Sequence, residues 1–168
     1  ESTDRFIGLH FFSPVDRMPL VEVIVGKGTS AATLAESLDL VKALRKTPII
    51  VNDSRGFFTT RVISAYIQEA FAMVGEGIAP ALIDNAAKLA GFPVGPLAMM
   101  DELSLDNGYK AALAERDAVG PTWKPSAGFL VNETMCTQLN RRGRRHGAGF
   151  YDYENNQRTP SKLLASHF

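Results

Sequence analysis

The sequence predicts a mainly α fold with a small α/β part at its N-terminal end, on three observations. Residues 1–54 string together three short apolar, β-branched or aromatic runs with one helical stretch between the second and third. From Phe58 onward, apolar residues recur every fourth position (Phe58, Val62, Tyr66, Ala70, Val74), the spacing of one helix face. Beyond that helix, Gly and Pro stand where helices stop and start.

The elements follow in order. Residues 6–12 are apolar and aromatic and end at Ser13-Pro14, which predicts a buried strand. Residues 20–25 (LVEVIV) predict a second strand, stopped by Gly26 and Gly28. Thr29 or Ser30 serves as N-cap for a helix to about residue 44, since Leu34, Leu38, Val41 and Leu44 recur at spacings of 3 and 4. Residues 48–51 (PIIV) make a third strand and Asn52-Asp53-Ser54 a turn. A long helix over 57–74 follows, its stripe widened by Ile63, Ile67 and Phe71, with Gly75 and Gly77 as stops. Pro80 suits a first helical position and Gly91 a C-terminal cap, giving a helix over 81–90. Pro96 opens another to 103, and 106–118 and 127–142 read as two more. Residues 147–153 (GAGFYDY) close the packed part, and 155–168, without a clear period, read as a tail or the start of a further region. The expected division is therefore 1–54, 55–153 and a tail over 154–168.

Composition narrows the function classes. Hydrophobic residues make up 45% and charged residues 21%, an ordinary globular balance. Basic and acidic residues cancel, 18 against 18, which argues against nonspecific binding to nucleic acid or an acidic membrane. The single cysteine, Cys136, excludes an internal disulfide, and its neighbours Val131, Met135 and Leu139 mark it as a core thiol. Three histidines and one cysteine give no metal-site spacing. No apolar run reaches the roughly 20 residues that span a bilayer. The chain opens without Met and enters a strand-like run at once, so it reads as a piece of a longer protein. A cytoplasmic parent of bacterial type is the expectation, a mitochondrial or peroxisomal one the alternative.

One pair of residues carries chemistry. If the first two strands form an antiparallel hairpin centred on Asp16, His10 and Glu22 stand opposite each other, each six residues away. Opposed residues share a face with Cβ atoms about 4.5–5.5 Å apart, within reach of a carboxylate–imidazole hydrogen bond. Their neighbours Leu9, Phe11, Phe12, Leu20, Val21 and Val23 are apolar, surroundings in which a carboxylate is costly unless paired. Glu22 would then orient the ring, and His10 could take a proton from a substrate hydroxyl while hydride leaves the same carbon. A buried pair that only locks the hairpin is the other reading.

Residues 10–23 (HFFSPVDRMPLVEV) closely resemble the signature of 3-hydroxyacyl-CoA dehydrogenases of fatty-acid β-oxidation. The resemblance continues through TPIIVND (47–53), GFFTTR (56–61), GFPVGPLAMMDELSLD (91–106) and GAGFYDY (147–153), in order and over nearly the whole chain. It implies the terminal strands of a Rossmann-type NAD domain in 1–54, followed by the family's helical C-terminal domain. It implies His10 as the catalytic acid/base with Glu22 as partner, NAD as cofactor, and an acyl-CoA thioester as substrate. Ser13, where monofunctional members usually carry Asn, is implied at the nicotinamide end of NAD, and Thr60, likewise replacing Asn, at the substrate. Ser13 and Thr59-Thr60 together look like the dehydrogenase region of multifunctional α-subunits. The family's G-x-G-x-x-G turn does not occur; Gly26-Lys27-Gly28 follows a strand but has no third glycine three residues on.

Arg141, Arg142, Arg144 and Arg145 cluster at an expected helix end, where cations favour the helix dipole. The resemblance points to Arg145 as a contact for cofactor phosphate. Phe57-Phe58 and Met99-Met100 read as core, or as walls of an acyl channel, and Trp123 as a loop residue packed on a neighbour. The helical part resembles a family domain that dimerises, so a homodimer or packing against other domains of the parent is expected. Two other functions stay open: a non-catalytic helical assembly module, and a related NAD-linked dehydrogenase acting on another 3-hydroxy acid.

Overall fold

The structure, a computed structural model, describes residues 3–155 and 157–168 and divides into two compact units, Glu1–Ile63 and Ser64–Phe168. In the first unit, β1 (Gly8–Phe11) pairs antiparallel with β2 (Leu20–Val25), and β2 pairs in parallel with β3 (Thr47–Asn52). A parallel pair needs a crossover, here α1 (Ala31–Ala43), whose N-cap Ser30 Oγ accepts from the Thr33 amide at 3.2 Å. Alternation along β2 decides where the chemistry sits. Val21 and Val23 are 0% exposed and form a core with Val41 of α1, packed by Leu9, Phe11, Leu34 and Leu38. Glu22, between them, therefore faces the other side of the sheet. The loop joining β1 to β2 is tied down by Lys46, whose Nζ donates to the carbonyls of Val15 (2.6 Å) and Met18 (2.8 Å).

Helix α2 (Thr59–Gly75) starts in the first unit and runs into the second. There follow α3 (Pro80–Leu89), α4 (Pro96–Leu103), α5 (Leu105–Val119) and α6 (Ala127–Glu133), with Pro80 and Pro96 at first helical positions as the sequence predicts. Phe71, Leu97, Leu105, Met135 and Phe150 fill the core of this unit, with the Phe71 and Phe150 rings 4.9 Å apart. Cys136 is buried, and burial pushes its thiol up to about 11, as befits an inert core residue. Among the described residues no helix is long and apolar enough to cross a membrane.

Two buried carboxylates hold the second unit together. Helix α4 has Gly95 as N-cap and no capping side chain of its own. Asp84 of α3 takes that place: it accepts from the amides of Leu97 (2.9 Å) and Ala98 (3.0 Å) and from the Tyr151 hydroxyl (2.7 Å). Gly95 is required there, because a Cβ would collide with the Asp84 carboxylate. Asp101 of α4 likewise accepts from the amides of Phe150 (2.8 Å) and Tyr151 (3.0 Å) and from the Tyr153 hydroxyl (2.9 Å).

Burial raises the Asp101 carboxyl to about 6, against the lowering effect of those donors. The unfolded chain holds this proton at about 3.9. The folded state thus binds it more tightly, so the contribution to stability is full below about pH 4 and is lost as pH rises through about 6. We expect a loss of about 2–3 kcal/mol across that window from this group. Comparing urea unfolding of the parent and Asp101→Asn between pH 4 and 7 checks this; equal slopes against pH would contradict it.

Four expectations need correction. The helix expected over 127–142 stops earlier: α6 gives way to a π turn over Thr134–Gln138, and Asn140 (φ 53) turns the chain into the left-handed region. Arg141 therefore does not sit on a helix end. It is buried, and its guanidinium donates to the carbonyls of Gly149 and Tyr151 and to Asp152. The expected tail is partly structured, since β5 (Gln157–Pro160) pairs antiparallel with β4 (Tyr151–Glu154) and is followed by the short α7 (Leu164–His167). Strand β5 is short, polar and exposed along its length, so it carries no alternation to read. Finally, Phe58 is not core but exposed, and Phe57 lies beside His10.

Candidate active site

His10 and Glu22 are direct partners in the β1–β2 register, as the hairpin centred on Asp16 requires. The His10 Nδ1 stands 2.6 Å from Glu22 Oε2. The two side chains differ in exposure: Glu22 is 0% exposed and the His10 ring 35%. One end of the pair is thus anchored in the protein while the ring reaches solvent.

What anchors Glu22 comes from elsewhere in the chain. Its second oxygen, Oε1, accepts from the backbone amides of Phe58 (3.0 Å) and Thr59 (2.8 Å) at the start of α2. These amides have no partner within the helix, and the positive end of the helix dipole adds to the attraction. Burial alone would push the Glu22 carboxyl up. The hydrogen bonds from His10, from the amides of Thr59 and Phe58 and from the Thr59 hydroxyl outweigh it, so the group lies below the ordinary carboxylate range and stays ionised. The ring of His10 has two aromatic neighbours, with centroids 4.6 Å from Phe12 and 5.8 Å from Phe57. With Nδ1 engaged by the carboxylate, Nε2 is the nitrogen left for a ligand.

Among the expected site residues, the structure brings His10 and Glu22 together. Ser13 is exposed, in the loop after β1, and Thr60 is exposed, in the first turn of α2 beside the Thr59 amide. Arg145 is exposed in a single 3-10 turn of the second unit (Arg144–His146). Side-chain pattern did not disclose the Phe58 and Thr59 amides, because backbone donors 36 and 37 residues from Glu22 leave no mark in the sequence. The flanking rings of Phe12 and Phe57 were visible only as apolar residues.

The Gly26-Lys27-Gly28 turn is held by its own chain. In the turn after β2, the Gly26 amide donates to Thr29 Oγ1 at 3.0 Å, and that hydroxyl donates to the Phe6 carbonyl at 2.7 Å. A Cβ on Gly28 would come within 2.9 Å of Thr3 Oγ1. The glycine turn is thus closed on its own chain.

Residues 56–153 match the family model described as 3-hydroxyacyl-CoA dehydrogenase, C-terminal domain, and residues 1–54 match that of the 3-hydroxyacyl-CoA dehydrogenase NAD binding domain. The chain is similar to the (S)-3-hydroxybutyryl-CoA dehydrogenase PaaH1 of Ralstonia eutropha, at 39% identity and TM-score 0.80, over 92% of this chain and 54% of that one. It is also similar to FadB2 of M. tuberculosis (30% identity, TM-score 0.73, 90% and 53% covered). A third similar structure is the 3-hydroxybutyryl-CoA dehydrogenase of Escherichia coli K12 (33%, TM-score 0.76, 89% and 32% covered). The chain spans about half the length of the first two of these proteins. With family models matched over residues 1–54 and 56–153, this chain belongs to the 3-hydroxyacyl-CoA dehydrogenase family.

Proposed function

We propose that this chain carries the proton-transfer half of an NAD-dependent oxidation of (S)-3-hydroxyacyl-CoA to 3-oxoacyl-CoA, in the service of fatty-acid β-oxidation. The observation that carries the reading is the 2.6 Å contact between His10 Nδ1 and Glu22 Oε2, with the carboxylate fully buried and the ring partly open. NAD, when bound, would supply the hydride acceptor. His10 takes the proton of the C3 hydroxyl at Nε2 as C3 becomes a carbonyl. Glu22 holds the ring with its proton on Nδ1 and offsets the charge that the imidazolium gains. In the reverse direction the same nitrogen returns the proton.

The remaining assignments rest on the family pattern and on exposure. Ser13 and Arg145, both exposed, are proposed as contacts for NAD, and Thr60, exposed one position beyond the Thr59 amide, for the thioester substrate. Residues 1–54 are taken as the end of the nucleotide domain and 55–153 as the helical domain. Exposed Leu82, Leu89 and Leu103 on the latter favour self-association or packing against the rest of the parent. Ser13 and Thr60 in place of Asn favour the multifunctional branch.

The test is NADH formation from 3-hydroxyacyl-CoA by the full-length protein and its Glu22→Gln variant. A Gln side chain must turn its carbonyl oxygen to the two amides, which are donors. Its NH2 then faces His10 Nδ1 and forces the proton onto Nε2, the wrong tautomer for a base. We expect kcat to fall about 10²-fold or more, by analogy with the tautomer effect in a carboxylate–histidine pair. An unchanged kcat would remove Glu22 from the mechanism.

A further inference from the structure

We propose that the N-terminus of α2 is a positioning element for the acid/base pair: the Thr59 amide, aimed by the Gly56-Phe57 turn, holds Glu22 so that Oε2 is presented to His10. This rests on the reading of His10 as the acid/base. Three observations support it independently of that reading. Both oxygens of Glu22 are used, Oε1 by two amides and Oε2 by the ring, so the carboxylate cannot rotate without breaking a charged hydrogen bond. Phe58 is the helix N-cap, since its carbonyl accepts the Val62 amide at 3.1 Å, and Thr59 is the first helical residue. The chain reaches that start through two consecutive left-handed residues, Gly56 (φ 73) and Phe57 (φ 45).

Glycine adopts that conformation freely, but an aromatic residue there is strained. Strain of this kind persists only where the surroundings enforce it, and it gathers at functional sites. Here it serves two purposes at once. It points the Phe58 and Thr59 amides at Glu22, and it sets the Phe57 ring 5.8 Å from that of His10. The helix thus acts on the reaction through Glu22 without touching substrate. Were its amides merely a cap for α2, losing one would change stability and leave the chemistry of His10 alone.

Proline at position 59 separates the two cases. It is well tolerated at a first helical position, where its missing amide proton has no helical partner, and it favours the extended backbone usual at an N-cap. Thr59→Pro therefore removes the amide donor from Glu22, together with the Thr59 hydroxyl that also lowers the carboxyl, with little cost to α2. In the full-length protein we expect kcat to drop about tenfold, the weight of one charge-assisted hydrogen bond, with KM within about twofold. The acid-side fall of kcat/KM, which belongs to the coupled pair, should move to higher pH because a less well held carboxylate binds protons more tightly. Replacing Thr59 by its α-hydroxy analogue turns the same amide into an ester while keeping the hydroxyl, so it isolates the amide and must move kcat and the pH profile in the same direction, whether or not proline is tolerated. His10→Gln is assayed alongside. Wild-type kcat and pH profile in the residue-59 variants, with His10→Gln inactive, would overturn the positioning role and leave the dyad standing. Full activity of His10→Gln would overturn both.

Discussion

The His10→Gln protein is expected to fold as the parent does and to oxidise (S)-3-hydroxyacyl-CoA about 10³–10⁴-fold more slowly in kcat, the upper range of a lost general base. A carboxamide cannot take a proton near neutral pH, so the hydroxyl proton would have to go to water. Folding should survive for a structural reason. Glu22 keeps the Phe58 and Thr59 amides, and the Gln NH2 can donate to Oε2 where Nδ1 did. The carboxylate is never left alone in the protein, and we expect a stability change within about 1 kcal/mol. Steady-state NADH formation together with urea unfolding measures both. A variant that keeps its fold and its rate would mean the proton is handled elsewhere.

The largest effect on stability is expected at Asp84. Its carboxylate is 1% exposed and receives three donors: the Leu97 and Ala98 amides at the start of α4, and the Tyr151 hydroxyl of β4. Asp84→Ala strands all three in a space that water does not reach, and it strips α4 of its cap. Each buried donor left without an acceptor costs about 1–3 kcal/mol, so we expect a total loss of about 3–5 kcal/mol. Asp84→Asn keeps one accepting oxygen, and the Tyr151 hydroxyl can rotate to accept from the new NH2, so its loss should be about half as large. Urea unfolding of the two variants against the parent decides it. A loss for Asp84→Ala below about 1 kcal/mol would show that water replaces the carboxylate and that the network is not what holds α3, α4 and β4 together.

How much of this was legible in the sequence follows from the kind of contact involved. The β1–β2 register was readable because strand side chains alternate with period two and both runs are bounded by turn residues, so placing Asp16 at the centre set His10 against Glu22. The helices were readable from their apolar stripes and from Pro80 and Pro96. What escaped were side chains bonded to distant backbone. Asp84 and Asp101 sit in helical segments where an acid ordinarily faces water, and Arg141 follows a helix as solvated arginines do. Their partners are amides and carbonyls, which every residue carries and no pattern marks. A trace did exist: Gly95 and Gly149 occur where a Cβ would strike the Asp84 and Asp101 carboxylates. A glycine beside a helix start can thus betray a buried acid packed against it. The same blindness hid the α2 amides on Glu22, although Gly56 next to two phenylalanines was their one visible sign.

The tautomer of His10 is the most direct test, because it needs no substrate. With ¹⁵N-labelled protein above the pH at which the ring loses its charge, the ring nitrogens report which one keeps the proton. Donation to Glu22 requires a pyrrole-like Nδ1 and a pyridine-like Nε2, the bare nitrogen that a substrate hydroxyl would meet. A ring found with its proton on Nε2 would show that the carboxylate does not hold the imidazole, and the proposed base would have no lone pair to offer.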